Sequence, residues 1–413
     1  MMTTHTIIIG GGQAGLAMSR CLSDLGIEHV VLERGKVAER WRTETWDSLH
    51  ALSPNWMTRL PGFQYDGPDP DGFMSASDLI AFFERYAVSS KAPVMTDTAV
   101  QKVERSAGGF HVQTTKGDFR SCAVVVATGY CDVPLVPDES RALPASVTQI
   151  VPSQYRRPQQ LPPGGVLIVG ASSTGVQLAD EIQRSGRQVT LAVGGHTRLP
   201  RRYRGRDIFW WLDRLGVLNQ SIDEVHDIER SRNQPSLQLV GKPDHSSLDV
   251  GVLRALGVRV LGRLRGIRGP RVTLADDLVA TTAAADIKLA EILDKIDHFI
   301  ATTGVEAAAA EPFRPTWLLG SDAPEALNLK DERIEMVIWA TGYRRSYPWL
   351  HLPVLDAHGD IIQNGGITPE AGLYVLGMRF QRRRNSNFID GVGDDARVLA
   401  ERIAQSVMHA RVA

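Results

Sequence analysis

Three cysteines in 413 residues, Cys21, Cys122 and Cys131, leave no pair at Cys-x-x-Cys spacing. That scarcity excludes a disulfide framework, a cysteine-rich zinc site and a redox-active dithiol, and it fits a reducing cytoplasmic setting. Net charge is equally scarce. The 46 Lys and Arg against 47 Asp and Glu give -1, so no global field draws the chain to nucleic acid or an anionic membrane, and any preference for an anion must be local. No window reaches roughly 18 uninterrupted apolar residues. Met1 leads into the short run Ile7-Ile8-Ile9 without the cationic and long apolar regions of a signal peptide, so a cytosolic protein outside membranes is expected. The histidines show no ligand spacing on a common helix face, and no metal is expected. What is present is a globular composition, 43% hydrophobic and 23% charged, with material for two ordinary domains.

An internal repeat organises the chain. Residues 7–33, IIIGGGQAGLAMSRCLSDLGIEHVVLE, and residues 167–193, LIVGASSTGVQLADEIQRSGRQVTLAV, share one plan: apolar strand, glycine turn, amphipathic helix, apolar strand. Leu16, Ala17, Cys21, Leu22 and Leu25 recur at helical spacing before Gly26, as do Val176, Leu178, Ala179 and Ile182 before Gly186. A looser repeat, VVVATGY at 124–130 and VIWATGY at 337–343, marks two buried strands ending alike. Seven prolines between 132 and 165 predict a linker without regular elements. A hairpin is expected around Gly108-Gly109, with Phe110, Val112 and Thr114 on one face, and amphipathic helices over 283–300 and from Val392 to Ile403.

The first chemical signal is Gly10-x-Gly12-x-x-Gly15 between strand and helix, with Glu33 closing the next strand. Gly10 serves the tight turn, Gly12 lets backbone approach a pyrophosphate, and Gly15 allows helix to pack on strand. The helix N-terminus receives phosphates, while Glu33 accepts the ribose hydroxyls of an adenosine. The second unit, Gly170-Ala171-Ser172-Ser173-Thr174-Gly175, has Ser172 at the middle glycine position and ends its strand without an acid. Arg198, Arg201 and Arg202 follow instead. A carboxylate there would repel a 2′-phosphate and guanidinium groups would bind it, which predicts NADPH; a solvated basic face or partner surface is the other reading of RLPRRYRGR. Two unlike dinucleotide units imply electron transfer between their ligands, FAD and NADPH.

In order, Gly10-x-Gly12-x-x-Gly15, Glu33, Arg40-Trp41, Ala127-Thr128-Gly129, Gly170-x-Ser172-x-x-Gly175 and Ala340-Thr341-Gly342-Tyr343 resemble the flavin-containing monooxygenases over nearly the whole chain. The resemblance implies an α/β fold of two Rossmann-like dinucleotide-binding domains, the second inserted into the first: FAD-binding residues 1–160, NADPH-binding residues 161–330, and a C-terminal part of the FAD domain over 331–413. It also implies a mechanism. NADPH reduces FAD, reduced flavin captures O2 as a C4a-(hydro)peroxide sheltered by NADP+, and that species oxygenates a heteroatom or carbonyl of a small organic substrate. By the same resemblance Gln13, Ala14, Arg34, Arg40, Trp41, Val100, Ala127, Thr128, Gly129 and Asp390 are expected at FAD. Ser173, Thr174, Ala340, Thr341 and Gly342 are expected near the cofactors.

Asn55 falls where the family places an asparagine beside flavin and nicotinamide, so it is the expected catalytic side chain; a turn role beside Pro54 is the alternative. Trp41, Trp46, Leu49, Leu52, Trp56, Met57 and Leu60 offer apolar walls for a dry pocket, or ordinary core. Trp210, Trp211, Phe380, Asn385, Asn387 and Phe388 are open between lining and packing. One departure stands out. The family's Phe-x-Gly-x-x-x-His fingerprint is replaced by Ala145, Val147 and Val151, leaving only Tyr155 near its end. An NADPH:acceptor oxidoreductase or oxidase without oxygen insertion, and a non-catalytic flavoprotein docking a partner through its basic segment, therefore stay in contention. A homodimer is compatible with the sequence.

Overall fold

The computed structural model describes residues 1–310 and 323–412. In its first sheet the strand Met2–Ile9 lies in parallel between His29–Leu32 and Gly117–Val126, with Val94–Met95 beyond His29–Leu32. Gly117–Val126 is shared. Its first half pairs antiparallel with Gly109–Thr114 and through it with Val100–Ser106, while Val124, Val125 and Val126 pair in parallel with Leu373–Val375. The expected hairpin thus forms, and Phe110, Val112 and Thr114 are buried. Helix Gln13–Asp24 turns Leu16, Ala17, Cys21 and Leu22 inward, where they share a core with Val392, Ala396, Leu399 and Ala400 of helix Val392–Val412. The two ends of the chain are therefore sewn into one unit by apolar burial. Gly26, at φ +66, lets the first helix stop.

The second sheet is wholly parallel, in the order Thr148–Ile150, Ile334–Trp339, Gly165–Val169, Val189–Ala192, Arg259–Leu261. Two expectations change here. The proline-rich stretch is not free of regular structure, because Thr148–Ile150, between Pro144 and Pro152, pairs with Met336–Ile338 as an edge strand. Prolines flanking an edge strand remove no ladder donor within it. Since Ile334–Trp339 also pairs with Gly165–Val169, the second unit begins before residue 161 and runs past 330. The long helix spans Leu278–Thr303, starting earlier than periodicity indicated, and ends at Gly304 with φ +68.

The two passages between the sheets run side by side. Val133–Pro134 pairs antiparallel with Tyr343–Arg344, the Leu135 amide donates to the Gly342 carbonyl at 2.9 Å, and the Thr341 hydroxyl donates to the Leu135 carbonyl. This ribbon follows both Ala-Thr-Gly segments, so it fixes the carboxyl ends of the sheets relative to each other. No helix among the described residues is long and apolar enough to cross a membrane.

Candidate functional site

Both glycine turns are built by the same close approaches. A Cβ on Gly10 (φ +113) would lie 2.5 Å from the Ala127 carbonyl oxygen, and one on Gly15 would lie 1.8 Å from that of Gly10. In the second unit, Gly170 (φ +107) stands 2.3 Å from the Ala340 oxygen by the same measure, and Gly175 1.9 Å from that of Gly170. Each Ala-Thr-Gly segment therefore backs its own turn. A Cβ on Gly12, by contrast, would meet nothing within 4 Å, which leaves an open face where a phosphate can reach backbone. The helices beginning at Gln13 and Ser173 carry no side-chain cap at Gly12 or Ser172. Their first-turn amides lack an internal partner and suit an anion.

Glu33 is 7% exposed. Its Oε2 accepts the Gly11 amide at 2.6 Å and its Oε1 accepts the Gly35 amide at 2.9 Å, so the carboxylate is held with a lone pair on each oxygen directed elsewhere. It faces a cavity of about 1530 Å³ lined from both units, larger than the roughly 300–1,000 Å³ of a site for one small ligand. From the first unit come Gly10, Gly12, Gln13, Ala14, Glu33, Arg34, Arg40, Trp41, Val100, Ala127, Thr128 and Gly129; from the second come Ser173 and Thr174. Arg40 and Arg34 both pair with Glu44, at 2.5 and 3.3 Å, and Arg40 lies over the Tyr343 ring. Gly15, Gly170 and Gly175 lie behind the turns as packing positions, and Ala340, Thr341 and Gly342 form the crossing. Open phosphate turn, oriented carboxylate and cavity together fit an extended flavin dinucleotide.

Several expected contributors stand elsewhere. Asn55 is 4% exposed and does not line the cavity. Its Nδ2 donates to the Asp69 carbonyl at 2.9 Å and its Oδ1 accepts the Met74 amide at 2.8 Å, so both ends of the amide brace the 69–74 loop. Asp390 takes Arg59 in a two-point ion pair at 2.5 and 2.8 Å and lines a separate small cavity; Phe388 and Ile389 face the large one instead. Trp41, Trp46, Leu49 and Leu52 line it, whereas Trp56, Met57 and Leu60 do not. Of the later candidates, Phe380, Asn387 and Phe388 line it, while Trp210 and Trp211 pack and Asn385 lines the small cavity beside Asp390.

The arginines depart most from expectation. Arg198 is buried between Asp249 at 2.9 Å and Asp286 at 2.6 Å. Arg201 has no exposed surface: it holds Asp207 at 2.5 Å and the Leu52 carbonyl at 2.7 Å, between the Phe73 and Phe209 rings. Asp207 in turn accepts the Phe209 amide at 2.8 Å, capping helix Ile208–Arg214. Arg202 is exposed and donates to the Gly205 carbonyl within its own turn. Carboxylates already neutralise two of the three, Arg198 by Asp249 and Asp286 from distant segments and Arg201 by Asp207 six residues on. Arg201→Met is accordingly expected to destabilise the protein by about 3–5 kcal/mol, because it leaves Asp207 buried without its counter-charge. Chemical denaturation beside NADPH kinetics checks this: unchanged stability with a raised KM for NADPH would return Arg201 to a phosphate role.

With the geometry in place, comparison with known proteins adds a family. A description of pyridine nucleotide-disulphide oxidoreductases matches residues 7–212. An uncharacterised CzcO-like oxidoreductase of Geobacillus kaustophilus is 30% identical over 396 residues, covering 95% of this chain and 96% of its own. The chain belongs to the CzcO-like oxidoreductases. The Arabidopsis thaliana protein named probable indole-3-pyruvate monooxygenase YUCCA4 is 28% identical over 410 residues, 97% of this chain and 90% of that one. Among solved structures, a flavin-containing monooxygenase from Stenotrophomonas maltophilia superposes with a TM-score of 0.67 at 18% identity, covering 98% of this chain and 100% of that chain. The resemblance read from the motifs thus holds for this oxidoreductase, and its fold is that of the two-dinucleotide-domain flavoproteins.

Sequence reasoning missed much of this CzcO-like protein's cavity wall. Leu199, Phe209, Leu212, Val217 and Leu218, with Phe388, form an apolar end, and Gln220, Gln234, Arg379 and Arg384 border it. Beyond the arginine run at 198–206, the segments up to 240 carry no motif, so no local pattern marked these apolar wall residues. The one available signal was the arginine-rich 379–384, and it did not distinguish Arg382 and Arg383, which approach Asp394 and Asp395, from Arg379 and Arg384. Tyr130, also on the wall, accepts a hydrogen bond from Asn387 Nδ2 at 3.4 Å, and burial pushes its hydroxyl well above its usual pKa and raises that of the neighbouring Cys131 thiol.

Proposed function

We propose that this oxidoreductase is an FAD- and NADPH-dependent monooxygenase acting on a small organic substrate with O2. The observation that supports it most is one cavity of about 1530 Å³ lined by the FAD-type turn, by Ser173 and Thr174 of the second turn, and by the apolar side chains Phe209, Leu212, Leu218 and Phe388. FAD held there would supply the electron transfer from NADPH and the activation of O2 that the family resemblance implies. The protein's share is positional. The amides after Gly12 and the Glu33 carboxylate hold the adenosine diphosphate half, with Arg34, Arg40, Trp41, Val100, Ala127, Thr128 and Gly129 along the same wall. Ser172, Ser173 and Thr174 present the second helix start to the pyridine dinucleotide, and Gly170, Gly175, Ala340, Thr341 and Gly342 keep that start in place. Phe209, Leu212, Leu218 and Phe388 exclude water from the reacting end. Asn55 and Asp390 are assigned no catalytic contact.

The choice of NADPH over NADH falls to a different arginine. Val193 follows strand Val189–Ala192 at the position corresponding to Glu33, and a Cβ on the next residue, Gly194, would lie 3.5 Å from Arg263 Nε. The Arg263 side chain is 54% exposed and only loosely paired with Asp277, at 3.5 Å, so it is open to a 2′-phosphate. Arg263→Ala is expected to raise KM for NADPH about tenfold or more while leaving that for NADH near its starting value; parallel steady-state kinetics with both nucleotides decide it, and equal changes would refute the assignment. The monooxygenase reading itself is tested by turnover under 18O2 with NADPH and a panel of sulfides, amines and ketones. One labelled oxygen atom in a product supports it. NADPH consumption matched by hydrogen peroxide across the panel makes the protein an oxidase instead.

A further inference from the structure

Of the cations on the cavity wall, Arg34 and Arg40 are matched by Glu44 and the lysines Lys288 and Lys295 are exposed to solvent, while outside the cavity Arg382 and Arg383 are matched by Asp394 and Asp395. Arg384 is different. Among the described residues no carboxylate lies within ion-pair distance of it. Its terminal nitrogens donate to two neutral side-chain oxygens, Gln220 Oε1 at 2.6 Å and Gln234 Oε1 at 3.2 Å, and its guanidinium lies over the Phe380 ring at 5.2 Å. Its Nε is buried without a hydrogen-bond partner. Burial alone lowers its pKa, with no acid opposing the shift. A half-buried guanidinium lacking counter-charge is costly, and a structure that holds it rigidly between two amides and a ring leaves the cost to be met by an anion. Arg379, five residues earlier on the same wall, is likewise without an acid; it donates to the Gln234 carbonyl at 2.5 Å and lies over Tyr130 at 5.8 Å.

The surroundings narrow the anion. Gln220 follows Leu218 closely, and Leu218, Leu212, Phe209 and Phe388 wall the apolar end, with Phe209 and Phe388 edge to face at 6.3 Å. The pyrophosphates of the two dinucleotides have their own helix starts at Gln13 and Ser173. Across the cavity the long helix contributes Lys288, Glu291 and Lys295, so that wall adds no excess of acid. We infer that Arg384, assisted by Arg379, receives the carboxylate of the substrate, and that the oxygenated molecule is an organic acid whose apolar or aromatic body fills the Phe209–Phe388 end. This rests on the monooxygenase reading for the word substrate, but the recognition is a binding property that needs no turnover.

The test uses the FAD-loaded protein and two probes of equal shape, phenylacetate and phenylacetamide, with binding followed by calorimetry and by perturbation of the flavin spectrum. The wild type is expected to bind the acid at least about tenfold more tightly than the amide. Arg384→Gln should remove that preference and Arg384→Lys should retain part of it. Equal affinities in the wild type, no binding of the acid, or a preference that survives Arg384→Gln each overturn the inference. The wild-type comparison stands even if a variant folds poorly. A rise in KM for NADPH in Arg384→Gln with the acid preference intact would assign the guanidinium to a nucleotide phosphate, also overturning it. Oxygenation of neutral substrates alongside any of these failures would leave the monooxygenase reading standing.

Discussion

Glu33→Ala protein is expected to emerge from purification largely without flavin, its affinity for FAD lowered by about 10²- to 10⁴-fold. Each carboxylate oxygen already accepts one turn amide, Gly11 at 2.6 Å and Gly35 at 2.9 Å, and each has capacity for one ribose hydroxyl. Two charge-assisted hydrogen bonds at about 1.5–3 kcal/mol each account for the range. The substitution also leaves two turn amides without their acceptor, which loosens the turn that bears the phosphates. Glu33→Gln, which keeps the shape but turns one acceptor into a donor, should fall between. Titration of apoprotein with FAD, read by flavin fluorescence, measures both. Retention of wild-type affinity by Glu33→Ala would move the adenosine elsewhere.

The second large effect separates the two cofactors. In Gly175→Ala the new methyl would lie 1.9 Å from the Gly170 carbonyl oxygen, which belongs to rigid backbone. The helix must therefore shift from the strand, carrying the amides of Ser173 and Thr174 with it. Displacement on the order of 1 Å costs about 10² in rate when it misplaces reacting groups. Anaerobic reduction of bound flavin by NADPH should slow by that factor while FAD stays bound. Gly15→Ala, whose methyl would lie 1.8 Å from the Gly10 oxygen, should do the reverse and lose FAD. Undiminished reduction in Gly175→Ala, or loss of FAD from it, would contradict the division of labour between the turns.

What could be read from the chain was local. A glycine turn, the helix after it and an acid one strand later lie within 27 residues, 7–33, and their geometry follows from neighbours in sequence. The two Ala-Thr-Gly segments were legible as strand ends, though not as the backs of the glycine turns, because Ala127 meets Gly10 only through sheet pairing. The arginines of 198–206 misled for the opposite reason. Asp249 and Asp286 reach Arg198 from 51 and 88 positions away, so an arginine that reads as open positive charge is neutralised in the fold. Asn55 fitted a family position, but its amide is engaged by the loop it closes. Arg263 and Arg384 carry no motif. What marks them is the absence of a strong counter-charge, a property only the assembled structure possesses.

The central claim is that NADPH and FAD meet in this cavity to activate oxygen for transfer. The measurement that tests it most directly is a stopped-flow trace in which the FAD-loaded protein is reduced by NADPH without oxygen and mixed with aerated buffer. The account predicts a transient flavin spectrum, distinct from both the oxidised and the reduced forms, that decays faster when an oxygenated substrate is present. Direct return to oxidised flavin with stoichiometric release of hydrogen peroxide, with or without substrate, would contradict it.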